Sequence, residues 1–274
     1  MPTAGDDVLY LSGSDDRVEA GAGNDSVMAG AGADFVHGNM GADTLSGGDG
    51  ADTLHGGQDN DVLYGDGGAD MLFGDKGDDT VFGGAGDDQI VGGEGRNFLR
   101  GGEGADLILG GDDFDDAHGN QGEDTVRGGG GDDWVVGGQG NDMLFGDSGG
   151  DVVLGNLGED TLDGGTGNDI VRGGQGNDLV QGGDGDDWLA GDRGDDTIWG
   201  GAGADIFHSW GEAGLDRVMD FNFAEGDRVN LLAGTTYSVA QVGADTVITM
   251  TGGGEMVLVG VQISSLGDGW ITVG

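Results

Sequence analysis

The chain has 274 residues, of which 69 are glycine, one is proline and none is cysteine; 53 acidic side chains against 9 basic ones leave a net charge of −44. Without cysteine there is no disulfide framework, thiolate zinc site or iron–sulfur cluster, and a single proline among so many glycines excludes a collagen repeat. The charge argues against nucleic acid as a partner and for cations, and no apolar run approaches the roughly 18 residues of a membrane span.

The opening segment, Met1 to Leu11, lacks the basic stretch and apolar core of a secretory signal peptide. From Asp7 to Asp205 every ninth residue is aspartate, with Asn97 the single departure. Two residues after each of these positions the side chain is apolar, from Leu9 and Val18 to Ile198 and Phe207, with Ala117 the one weak member. Two residues before stands glycine, except at Ser14, Asp59 and Asp113, and five residues before stands glycine without interruption from Gly38 to Gly200. The unit is therefore GGxGxDxUx, with U a large aliphatic, as in Gly83 to Val91.

A helix cannot hold this pattern, because each glycine would cost it roughly 1 kcal/mol. The xUx triplet suits a very short strand with U inward, and GGxGxD suits a turn whose glycines adopt positive φ or let backbones approach. Two strands and two turns make a coil of 18 residues, and stacked coils bury the U column between two parallel sheets.

GGxGxDxUx resembles the nonapeptide repeat of RTX proteins, over about residues 5 to 208. The resemblance implies an all-β fold: a right-handed parallel β-roll solenoid of these nonapeptides with a small C-terminal β cap, and several Ca2+ ions held in its turns. The position-six carboxylates it nominates as ligands are Asp25, Asp34, Asp43, Asp52, Asp61, Asp70, Asp79, Asp88, Asp106, Asp124, Asp133, Asp142, Asp151, Asp160, Asp169, Asp178, Asp187, Asp196 and Asp205. The backbone carbonyls it nominates belong to Gly47, Gly50, Gly83, Gly86, Gly128, Gly131, Gly137, Gly140, Gly164, Gly167, Gly173, Gly176, Gly182 and Gly185. The resemblance also implies that each ion is shared by turns one coil apart. The expected domains are a roll over residues 1–208, with about 23 nonapeptides, and a cap over 209–274.

Residues 18 apart stack, so the aspartates fall into two columns spaced by about 4.8 Å. Two carboxylates at that spacing repel by about 0.9 kcal/mol in water, and about half that after screening. Over some 19 neighbouring pairs the cost is on the order of 10 kcal/mol, the whole stability of a typical domain. Calcium suits the array better than magnesium, because it accepts 6 to 8 mixed oxygens in loose geometry. The weak place is Asn97 with Asp115, beside the degenerate repeat Gly110 to His118 where Asp113 replaces glycine; a poorly occupied ion site is expected there. The first repeats, around Asp7 and Asp16 with irregular turns at Pro2, Leu11 and Ser14, are expected to cap the array's start. Residues 37–80 also resemble residues 118–161 beyond what the nonapeptide requires, as a duplication of nine repeats would produce.

After Phe207 the nonapeptide stops. Strands are expected near 216–221, 227–232, 245–251 and 255–259, with Gly252-Gly253-Gly254 a hairpin turn between the last two. Asp216 to Phe223, followed by Gly226 to Leu231, is similar to the D-x-I-x-D-F and G-D-x-I-x-L element that follows β-rolls in RTX proteins such as serralysin-type proteases. That resemblance implies an uncleaved type I secretion region, although the ending Gly269 to Gly274 departs from the acidic-then-hydrophobic pattern.

No catalytic constellation stands out. Gly146-Asp147-Ser148-Gly149-Gly150 matches a serine-protease string, but Ser148 occupies a free position of the repeat and no strand-to-helix elbow surrounds it. The four histidines, His37, His55, His118 and His208, all fall at position nine, facing outward; His37 and His55, one coil apart, could meet a transition metal. Outward rings at Tyr64, Phe82, Trp134 and Trp188 could stack on sugars. The expectation is a secreted, extracellular, non-enzymatic calcium-binding protein that engages type I secretion machinery. The competing reading is a calcium-stabilised module that binds polysaccharide or a cell surface.

Overall fold

In a regular nonapeptide the strand is six residues long, covering xUxGGx, and only positions four to six are left for the turn. A computed structural model describes residues 4–274, and Pro2 lies outside the described residues. Thr80–Ala85 and Phe98–Glu103 show the rule: they pair in parallel with Leu99 opposite Val81 and Glu103 opposite Ala85, an offset of 18 residues. The strands are twice as long as the triplet suggests, because coils of identical geometry let the parallel ladder continue past position one through Gly84 and Gly102.

The chain forms two units, Met1–Gly138 and Gln139–Gly274. Within the first, one parallel sheet runs from Val8–Tyr10 through every second strand to Asp116–Gln121, and the other from Arg17–Ala22 to Thr125–Gly130. The second unit repeats the plan, with Val152–Leu157 to Ile206–Ser209 in one sheet and Met143–Ser148 to Thr197–Ala202 in the other. The sheets of each unit enclose the U column: Leu45, Leu54, Leu63, Leu72, Ile90 and Ile198 are fully buried, each contributing about 1.5–3 kcal/mol. Ala117 keeps its place in the column but fills less of it. His37 on Phe35–Met40 and His118 on Asp116–Gln121 sit in opposite sheets of the first unit, because an offset of nine repeats, an odd number, moves a residue half a coil.

Glycine at position one and glycine at position four serve different needs. A Cβ on Gly83, at position one, would collide with the Asp88 carboxylate and the Gly101 carbonyl one coil on. Gly86, at position four, has φ +125°, and a Cβ there would strike the Gly68 carbonyl. At position two, where glycine is replaced, only Asn or Asp appears in the left-handed region, as at Asn39 (φ 81°) and Asp66 (φ 72°), the non-glycine residues that tolerate it.

The C-terminal region continues both sheets of the second unit before it departs from them. Leu215–Val218 pairs with Thr197–Ala202, and Arg228–Leu231 with Ile206–Ser209, both in parallel. Ile271–Val273, a strand not anticipated, adds to the latter sheet. Glu255–Leu258 joins Leu215–Val218, and the expected hairpin around 251–254 links it to Asp245–Met250. A further strand, Tyr237–Val242, forms the antiparallel edge. The first of these strands stops at Val218, short of the expected 221, because Asp220 turns in to accept the backbone N–H groups of Gly200 and Gly201 at 2.9 and 3.0 Å.

Candidate metal centre

The position-six aspartates point inward at the end of each turn and are buried from Asp25 to Asp205, Asn97 standing among them. Their first carboxylate oxygen has a fixed task. Asp43 Oδ1 accepts the backbone N–H of Asp25 at 2.7 Å, Asp61 Oδ1 that of Asp43 at 2.8 Å, and Asp79 Oδ1 that of Asp61 at 2.8 Å. The second unit repeats this, for example from Asp160 to Asp178 at 2.8 Å and Asp178 to Asp196 at 2.9 Å. Each side chain thereby locks the register of the coil before it.

The second oxygen is the candidate ligand. From Asp25 to Asp115 (Asn97 aside) and again from Asp160 to Asp205, Oδ2 is buried without a hydrogen-bond partner. Stranding a buried polar atom costs about 1–3 kcal/mol, and more for a charged one. The colliding atoms around Gly83 show what lies beside it: Asp88 Oδ2 and the Gly101 carbonyl, two acceptors, converge on one small space. The same convergence occurs at Gly56 with Asp61 and Gly74, at Gly164 with Asp169 and Gly182, and at Gly182 with Asp187 and Gly200. Acceptors facing acceptors require a cation or a proton between them, so the donor set fits a hard divalent ion.

Burial pushes several of these carboxyls above the ordinary range. Asp61 is raised to about 8, with burial the main cause and Asp79 and Asp43 adding to it against the opposing Asp43 backbone N–H bond. Asp70, Asp106, Asp178 and Asp187 rise to about 7 for the same leading reason. At neutral pH without a cation, these five carboxyls therefore hold protons for part of the time.

The nominated carbonyl glycines divide by position. Gly47, Gly83, Gly128, Gly164, Gly173 and Gly182, at position one, lie against the carboxylate of their own turn. Gly50, Gly86, Gly131, Gly140, Gly167, Gly176 and Gly185, at position four, take positive φ and form the bend. Gly137 belongs to the first group by its place in the repeat.

Two sets of residues escaped the sequence reading. Position five carries its own ladder of opposite direction: Asn60 Oδ1 accepts the N–H of Asp78 at 3.0 Å, and Asp78 Oδ1 that of Arg96 at 2.9 Å. Asp216 and Asp227 extend the position-six columns. Asp227 Oδ1 accepts the Asp205 N–H at 3.1 Å. Asp216, fully buried, accepts the Ser209 hydroxyl at 3.0 Å and is raised to about 8 by burial, then by Asp196. The signal was present, because Gly214-Leu215-Asp216-Arg217-Val218 keeps the G-x-D-x-U spacing; steps of 20 and 22 residues hide it from a count of nine.

The outward side chains are mostly engaged with one another. His55 stacks on His37 (5.3 Å) and on Phe73 (4.5 Å) and meets Asp75 Oδ2 at 3.1 Å through Nδ1. His118 meets Asp116 at 2.8 Å, and His208 meets Asn230 at 3.1 Å. Among the described residues no three His, Asp or Glu side chains form a metal-holding group. Tyr64 stacks on Phe82 at 5.2 Å and Trp188 on His208 at 5.0 Å, so their faces cover each other; Trp134 stays 48% exposed. Ser148 ends the strand Met143–Ser148, in register with Thr166. No helix among the described residues is long and apolar enough to cross a membrane.

The family model for the RTX calcium-binding nonapeptide repeat, in blocks of four copies, matches nine segments that together run from residue 3 to residue 218, among them 37–72, 82–117, 145–180 and 181–218. No curated protein matches the chain. Among solved structures, the extracellular lipase LipA from Serratia marcescens is similar with a TM-score of 0.37 and 17% identity; the likeness covers 93% of this chain and 45% of the lipase.

Proposed function

The chain belongs to the family of RTX calcium-binding nonapeptide repeats, and from that premise we propose that it is a secreted, non-enzymatic β-roll whose folding is driven by calcium outside the cell. The observation that carries this is the row of buried Oδ2 atoms facing backbone carbonyls. The position-six carboxylates and the position-one and position-four carbonyls would hold the ions, with Asp216 and Asp227 added at the end of the columns. Bound calcium supplies a divalent charge that accepts several hard oxygens at once. The protein's own part is to give up the carboxyl protons and to hold each preceding coil in register through Oδ1. Where calcium is scarce the columns repel or stay protonated; where it is abundant, binding and folding become one equilibrium. A chain leaving the cell unfolded through a type I exporter would then be held outside by its own folding.

Equilibrium dialysis of the full chain tests this: several calcium ions retained per chain, undiminished by equimolar magnesium, are expected. No retention at millimolar free calcium overturns the calcium reading, and retention inside cells that carry a working type I exporter overturns the export reading. The alternative, a polysaccharide- or surface-binding module, draws its support from the exposed Trp134 ring. Calcium-dependent glycan binding lost in Trp134→Ala would favour it.

A further inference from the structure

We propose that the turn ending at Asn97 takes no calcium, because the asparagine amide puts a donor where a regular turn presents a carboxylate oxygen, and that the protein thereby divides one of its two ion ladders. The proposal rests on the calcium reading above. The hydrogen-bond ladder itself runs through this turn unbroken. Asn97 Oδ1 accepts the Asp79 N–H at 3.0 Å, and the Asn97 N–H is donated to Asp115 Oδ1 at 2.8 Å. The Asp79 N–H needs an acceptor, which fixes the amide orientation and leaves Nδ2 in the place of the unpartnered Oδ2 of other turns.

There Nδ2 packs against Gly92, as Asp88 Oδ2 packs against Gly83, and donates to the Gly95 carbonyl at 3.1 Å. An amide NH2 is only a donor. The substitution removes a negative charge, replaces an acceptor with a donor, and occupies the position-four carbonyl of the same turn. Neighbouring substitutions act in the same direction. Arg96 stands at position five, its guanidinium 5.0 Å from the Phe114 ring centre, and brings a positive charge to this turn.

One coil on, Asp113 replaces the position-four glycine, and its Oδ2 accepts the Gly95 N–H at 3.2 Å. In regular turns that N–H goes to a backbone carbonyl, as from Gly86 to Glu103 at 2.6 Å and from Gly104 to Gln121 at 2.9 Å. Leu107–Gly111, which leads into this turn, is one residue shorter than the neighbouring strands. The protein's own donors thus close the two turns on each other. The other column passes the same level intact, with the Asp88 N–H donated to Asp106 Oδ1 at 2.9 Å.

The test is calcium stoichiometry of the full chain by equilibrium dialysis, with thermal unfolding in saturating calcium, for wild type, Asn97→Asp, Asn97→Ala and Asp61→Asn. Asn97→Asp should bind at least one more ion per chain than wild type, and Asp61→Asn, in the same column, at least one fewer. Asn97→Ala should keep the wild-type count while unfolding at a lower temperature. Loss of an ion in Asn97→Ala, or no gain in a folded Asn97→Asp while Asp61→Asn loses one, would show that this turn already holds an ion and would overturn the proposal. Should Asn97→Asp fail to fold, Asn97→Ala decides alone. If wild type itself binds no calcium, the underlying calcium reading falls.

Discussion

The repeats and the C-terminal region of the second unit use the same two sheets but are held together by different physics. Between Thr161–Thr166 and Thr197–Ala202 each coil adds two aliphatic side chains, two buried carboxyls and glycines with no room for a methyl group. After Phe207 the offset grows to 20 and then 22 residues, the glycines thin out, and Val218, Val229, Ile248, Met256 and Leu258 are buried with few buried acids among them. The roll is thus a fold whose register depends on ionisable groups, and the cap is an ordinary apolar one. The difference teaches that the same parallel sheet can be closed by a hydrophobic meander where the ion ladder ends, covering a terminal coil that would otherwise expose its edge.

Steric demand should separate the two regions most. Gly86→Ala combines a strained positive φ with a collision against the Gly68 backbone, and is expected to lower stability in calcium by about 3 kcal/mol or more. Gly253→Ala has a similar φ of +105° but open space around it, and should cost about 1 kcal/mol. Denaturant melts of both variants in calcium check this, and equal losses would erase the distinction.

Protonation should next mark the carboxyl columns, Asp216 at their end included. Asp61, Asp70, Asp178 and Asp187 have folded-state values of about 7 to 8, above the ordinary 3.8. A raised folded value means that protons stabilise the folded state. This contribution is complete below about pH 4 and is lost as pH rises through 7 to 8. Calcium-free protein should therefore resist denaturant better at pH 5 than at pH 8, and calcium should reverse that slope by replacing the protons. A calcium-free stability that rises between pH 5 and 8 would contradict the burial of these groups. The smallest effect belongs to the cap: Asp245 accepts the Gly260 N–H at 2.8 Å on the surface, so Asp245→Ala should cost about 1 kcal/mol and leave the calcium count unchanged.

Much of this was legible because a period of nine leaves little freedom. The column of Leu45, Leu63 and Val81, the buried aspartates and the glycine turns all follow from one spacing. What stayed hidden has physical reasons. Strand length is not legible in the repeat, because Gly-Gly reads as a turn while neighbouring coils extend the ladder through Gly84 and Gly102. The nonapeptide leaves open what an acid at position two does: Asp75 takes a positive φ and meets His55 one coil back; Ser46 with Asp66 and Arg172 with Asp192 pair the same way, at 2.6 and 2.9 Å. Tyr237–Val242 is exposed on nearly every residue, so no alternation marks it as a strand. Asp216 and Asp227 fall outside a count of nine because the cap's insertions shift it.

The most direct test of the central claim is far-UV circular dichroism of the full chain at pH 7.5 during calcium titration from a chelated start. The account predicts a largely unordered spectrum in chelator and a cooperative appearance of β signal as calcium rises, with magnesium failing to substitute. A full β signal in chelator, unchanged by calcium, would contradict it.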